Sequence, residues 1–133
     1  MKTLLILILS VLIPMFITSS CAQRSETTPT ISPTEAQKLA GSKNVLILDV
    51  RTETEFASGH VKDALLIPVQ ELDARLSELE KFKQKKIIAV CRSGNRSGRA
   101  TTLLREHGFD AVNMSGGMIE WNSLGYTSVK ETR

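Results

Sequence analysis

The chain has 133 residues, room for one domain of ordinary size and too few for two. Hydrophobic residues make up 41% and charged residues 23%, an ordinary globular composition. Seventeen Lys and Arg against fourteen Asp and Glu leave only +3, and none of Phe109, Trp121 and Tyr126 is interleaved with a Lys/Arg run, so a nucleic-acid stacking surface is not supported.

The first twenty residues differ from the rest. Lys2 supplies one positive charge, Leu4 to Ile17 is almost wholly apolar, and Thr18, Ser19 and Ser20 lead to Cys21. This is the order of a secretory signal peptide. The apolar stretch falls short of the roughly 20 residues that span a bilayer as a helix. Residues 1–20 are therefore set apart from the fold, and the remainder carries a net +2. Small residues ahead of Cys21 resemble a bacterial lipoprotein site in which Cys21 takes the lipid, although Thr18 stands where a large aliphatic residue is usual. Ordinary cleavage after Ser20-Cys21-Ala22 is the alternative. Both routes imply export from a bacterial cytoplasm, to a periplasm or, through a lipid anchor, to a membrane surface.

Residues 21–30 are nearly free of apolar side chains and read as a tether, with a domain over 31–129 and a short tail over 130–133. Ser32-Pro33-Thr34-Glu35 is a capping box with proline at the first helical position, opening a helix that ends near Gly41. Val45 to Leu48 is a continuous apolar strand, of the kind covered on both faces. Thr52 to Glu55 forms a second capping box, for a short helix that stops at Gly59. Ala64 to Ile67 is a brief apolar segment ended by Pro68. Leu72, Leu76 and Leu79 fall at helical spacing within 71–82. Ile87 to Val90 is another apolar strand. Arg99 to His107 reads as a helix capped by Gly108. Phe109 to Met114 suits one more strand, and Gly116-Gly117 leads into a short helix ending near Gly125. Strands alternating with helices predict an α/β fold, a mainly parallel sheet with helices on both faces. Ligands in such folds bind beyond the carboxyl ends of the strands.

Cys91 stands at such an end, followed by Arg92-Ser93-Gly94-Asn95-Arg96-Ser97. If this loop wraps tightly, successive N–H groups point into a shared concavity that binds anions, and the next helix adds the positive end of its dipole. Gly94 and Asn95 are the residues best able to adopt positive φ. With Arg92 and Arg96 alongside, thiolate is favoured over thiol, which makes Cys91 a nucleophile held where an anionic substrate binds. The competing reading is a buried small hydrophobe beside a helix cap. No second cysteine or paired histidine stands at ligand spacing, so no metal is expected. His107 reads as a last-turn partner of the helix dipole and His60 as a structural hydrogen-bonding group in a turn.

These residues resemble the rhodanese-like domains from about Ile31 to Tyr126. LDVRTETEFASGHVKDALLIP, residues 48–68, is similar to the family's first signature; VCRSGNRS, 90–97, to its active-site loop; and MSGGMIEW with Gly125-Tyr126 to its closing signature, with Met114 in place of the usual leucine. The resemblance implies a central sheet of about five strands and a thiosulfate-type sulfurtransferase with no cofactor. Cys91 would take a sulfane sulfur from a small anionic donor, hold it as a persulfide and pass it to cyanide or a thiol. Amides from Arg92 to Ser97 would hold the persulfide and the leaving anion, and Arg92 and Arg96 would orient the donor. Asp49 and Arg51 would support the site, with a structural ion pair as the competing role; Glu55 and Trp121 read as a cap and as core packing. Related phosphatases of this fold place five residues between cysteine and arginine. Here four separate Cys91 from Arg96, a shorter loop that suits sulfur better than a phosphoryl group. A monomer is expected, as is a rival function as a non-catalytic or sulfur-carrier module.

Overall fold

The computed structural model describes residues 27–131. Residues 1–20, read from sequence as a signal peptide, together with Cys21, most of the expected tether and the last two residues of the tail, lie outside them.

Five strands form one parallel sheet: β1 (Thr30–Ile31), β2 (Val45–Asp49), β3 (Leu65–Leu66), β4 (Lys86–Val90) and β5 (Asp110–Met114), in the order β1-β5-β4-β2-β3. The two most apolar runs lie side by side, with Val45 opposite Lys86 and Asp49 opposite Val90. Their side chains alternate between two cores, as a pleated strand requires. Leu46, Leu48 and Val50 face one side with Ile87, whereas Ile47 faces the other with Ile88 and Val90. That is why both runs read as continuously hydrophobic: each face has its own helical cover.

The helices are α1 (Pro33–Leu39), α2 (Glu53–Ser58), α3 (Asn95–Glu106) and α4 (Gly117–Ser123). One core takes Ala100 and Leu104 of α3 together with Leu72, Leu79 and Phe109; the other takes Ala36 of α1 and Met118 and Trp121 of α4. Both capping boxes form, Ser32 with Glu35 and Thr52 with Glu55.

Four boundaries differ from the sequence reading. Thr30, assigned to the tether, pairs with Asn113 at the sheet edge. The far end is engaged as well: Val129, the last residue of the expected domain, exchanges backbone hydrogen bonds with His60 at 2.9 and 2.8 Å, and in the tail the Glu131 N–H donates to the Ala57 carbonyl. Isolated pairs of residues carry no periodicity by which to find them. Residues Asp73–Phe82 are 3₁₀ rather than α. Side chains three apart nearly eclipse in that geometry, and Arg75–Glu78 and Glu80–Lys83 pair across that interval. Finally, α3 starts at Asn95, four residues before Arg99. Gly94 alone carries positive φ (+101°), while Asn95 is already helical.

Candidate active site

Cys91 leaves β4 at its carboxyl end, beside Val50 and Arg51 at the end of β2. Alternation along β4 turns its side chain towards α3, and Cys91 is only 1% exposed. It is not, however, surrounded by hydrocarbon alone. Gly94 N–H donates to Sγ at 3.1 Å and the Ser97 hydroxyl lies 3.2 Å from it. No side chain caps the start of α3. In place of a capping side chain, the sulfur takes up the Ser97 N–H of the first turn together with the amides of Gly94 and Ser93 just before it.

Burial is the largest single influence on the thiol and opposes its ionisation. The Ser97 hydroxyl and the amides of Ser97, Gly94 and Ser93 together outweigh it, so the pKa of Cys91 lies below the usual thiol value.

The loop is fastened from three sides. On α4, Met118 N–H donates to the Cys91 carbonyl at 2.9 Å and Ile119 N–H to that of Arg92 at 3.1 Å. Gly117 makes this approach feasible: a Cβ there would sit 2.5 Å from the backbone of Cys91 and Arg92, and its φ is +55°. From β5, the buried Asn113 amide donates to the Gly94 carbonyl at 3.0 Å and accepts from Ser97 Oγ at 2.6 Å. From α2, Glu55 holds the Arg96 guanidinium through two bonds of 2.6 and 2.8 Å. Arg96, with the hydroxyl and amide of Thr52, lowers the Glu55 carboxyl to about 2 against the cost of its partial burial.

The structure therefore brings Cys91, Gly94 and Ser97 into direct contact and leaves Arg92, Ser93 and Asn95 exposed at the rim. Arg96, expected to face a substrate, is partnered within the protein. Arg92 makes no ion pair among the described residues. Asp49 and Arg51 form a buried pair at 2.7 Å, and Arg51 also donates to the Gly59 carbonyl at 2.8 Å, fixing the end of α2. They act as a brace behind the site. His60 donates through Nδ1 to Phe56 O and stacks on the Phe56 ring, and His107 meets Leu103 O, so both histidines have structural roles. No cluster of three metal-ligating side chains occurs among the described residues.

Three contributors were missed from sequence. Glu55 is a cap, as read, and also the partner of Arg96. Asn113 had a signal, one amide set between the apolar Ala111-Val112 and Met114. The Met118 and Ile119 amides had none, because backbone groups are silent in sequence.

A sheet of this order, with a cysteine at the end of its central strand and helix amides turned inward, can be compared with known proteins. The family model for the rhodanese-like domain matches residues 32–124. The chain belongs to the rhodanese-like family. A sulfurtransferase of Allochromatium vinosum is 39% identical over 87 residues, which is 65% of this chain and 79% of that protein. The human thiosulfate:glutathione sulfurtransferase is 33% identical over 70% of this chain and 92% of its own length. Among solved structures, a rhodanese-related protein of Thermoplasma volcanium superposes with a TM-score of 0.72 at 31% identity, covering 77% of this chain and 99% of that one. Such relatives make this a rhodanese-like sulfurtransferase fold with a sulfur donor and acceptor as the general class of partner.

Proposed function

We propose that this rhodanese-like chain is a thiosulfate-type sulfurtransferase working through a Cys91 persulfide. The observation that carries the reading is the sulfur's setting: Gly94 N–H and the Ser97 hydroxyl at 3.1 and 3.2 Å, at the uncapped start of α3. Cys91 thiolate attacks the outer sulfur of thiosulfate. The S–S bond of the donor breaks, sulfite leaves with its electron pair, and the charge passes to the terminal sulfur of the persulfide. A thiol or cyanide then takes that sulfur and restores the thiolate, which is covalent ping-pong catalysis. The inward amides stabilise the anion at each stage without rearranging. Arg92, exposed and unpaired among the described residues, draws the anionic donor to the rim.

A second reading, a module that relays or binds without turning over free thiosulfate, is favoured by the 1% exposure of Cys91. Incubating the reduced protein with thiosulfate and measuring intact mass separates the two. One added sulfur on Cys91, absent in Cys91→Ala, supports the enzyme; an unmodified wild type supports the module. Paired kinetics with a mercaptopyruvate-type donor tests the preference for a doubly charged anion.

Export is part of the proposal. The charged start, apolar run and small residues before Cys21 support delivery to a periplasm or attachment to a membrane through lipid on Cys21. The mass of the mature N-terminus tests it: acylated Cys21, a start just after residue 22, and an unprocessed Met1 are three distinct readings, the last of which contradicts export.

A further inference from the structure

Ser97 has two neighbours that want one proton. Its hydroxyl lies 2.6 Å from Asn113 Oδ1 and 3.2 Å from Cys91 Sγ, and all three side chains are buried. A serine hydroxyl has one hydrogen to give, with lone pairs to accept in return. The orientation of the amide is settled by its other end. Nδ2 faces the Gly94 carbonyl at 3.0 Å, which can only accept, so Oδ1 must face Ser97. Oδ1 has no other donor among the described residues.

We infer that Asn113 is a positioning residue that competes with Cys91 for the single Ser97 hydroxyl proton. Two arrangements follow. With Cys91 as the thiol, S–H donates to Ser97 Oγ and Ser97 O–H donates to Asn113 Oδ1; every group is satisfied. When the thiol proton leaves for solvent, sulfur can only accept. The Ser97 hydroxyl turns to Sγ, and Asn113 Oδ1 is left as a buried acceptor without a donor, which is unfavourable. Asn113 therefore opposes ionisation of Cys91 through Ser97, while its Nδ2 steadies Gly94. The charged groups that bear on Cys91 are Arg96 of α3, its partner Glu55 of α2, Asp49 at the end of β2, which acts on Arg96, and Arg92 next in the chain. None of them is altered by a substitution at Asn113.

The test reads ionisation, not sulfur transfer, so it stands whether or not the chain proves to be an enzyme. The rate of alkylation by iodoacetamide is followed against pH at Cys91 by peptide mass spectrometry, which keeps Cys21 out of the signal. Asn113→Leu removes the competing acceptor. The Gly94 carbonyl keeps the Gly98 N–H at 3.0 Å, so no acceptor is stranded there. The expected result is a pKa lower than in the wild type, with the thiolate-to-thiol ratio at acidic pH raised roughly tenfold. Ser97→Ala should raise the pKa, and in that background Asn113→Leu should change nothing, because the coupling runs through Ser97. A pKa that rises or stays fixed in Asn113→Leu, or a shift that persists without Ser97, overturns the inference. The wild type offers a second readout that needs no folded variant. The Asn113 side-chain carbonyl carbon should titrate in NMR with the same midpoint as Cys91, since its oxygen loses a donor there; a resonance indifferent to that midpoint also overturns it.

Discussion

Glu55 and Arg96 are a partly exposed pair whose value depends on pH. The Glu55 carboxyl sits at about 2 in the folded chain against an ordinary 4.5. Its contribution to stability is therefore complete above pH 4.5 and is lost as the pH falls towards 2. Solvent screening limits it to about 1 kcal/mol. Glu55→Gln keeps an acceptor for the capping box but not the charge. Melting temperatures should show a gap between wild type and variant at pH 6 that narrows below pH 4.5 and closes only as the pH falls through about 2; a gap of constant size would contradict the ion-pair account. Asp49 and Arg51 are a different case. Both are buried, so Arg51→Ala strands a carboxylate and should cost about 3–5 kcal/mol in denaturant unfolding. On the sulfurtransferase reading, Arg92→Ala should lower kcat/KM for thiosulfate about tenfold, the loss of one charge-assisted contact, with the melting temperature little changed.

Helix α4 does more for the site than its seven residues convey. Its first-turn amides would otherwise lack partners, and they hold the carbonyls of Cys91 and Arg92. Gly117→Ala would force those backbones apart, since a Cβ would lie 2.5 Å from them. The expected outcome is a destabilised chain with slower alkylation of Cys91 at neutral pH; an unchanged pKa and melting temperature would contradict the fastening role. Elements with strong local chemistry were legible in sequence. Ser32-Pro33 and Thr52 with Glu55 announced α1 and α2 through their capping boxes, and Gly108 marked the end of α3. The start of α3 was not legible. Gly94, Asn95 and Ser97 are turn formers in isolation, and only the contact of Gly94 and Ser97 with Sγ shows why the helix begins there without a cap. The ionic partner of Arg96 was hidden for a related reason: Glu55 lies 41 residues away and already had a local role as a cap.

Across the whole molecule, the apolar runs of β2 and β4 foretold a parallel sheet covered on both faces, because a strand buried on both sides has no polar alternation to show. The edges escaped notice. Thr30–Ile31 and the His60–Val129 bridge are too short for a pattern and exist through backbone bonds made across the fold. The site follows the same division. Cys91 and the loop were visible as a run of neighbouring residues, whereas Asn113, Glu55 and the α4 amides reach it only once the chain is folded. The sheet delivers Cys91 to the start of α3, and α2, α4 and β5 close around the loop from separate directions. The claim on which the rest turns is that this enclosure ionises the sulfur and lets it accept another. The most direct measurement is the rate of sulfur addition to Cys91 from thiosulfate, read by intact mass across a range of pH. The account predicts a rate that reaches its plateau through a midpoint below that of a free cysteine. A rate that climbs only above that value, or no added sulfur at any pH, would contradict it.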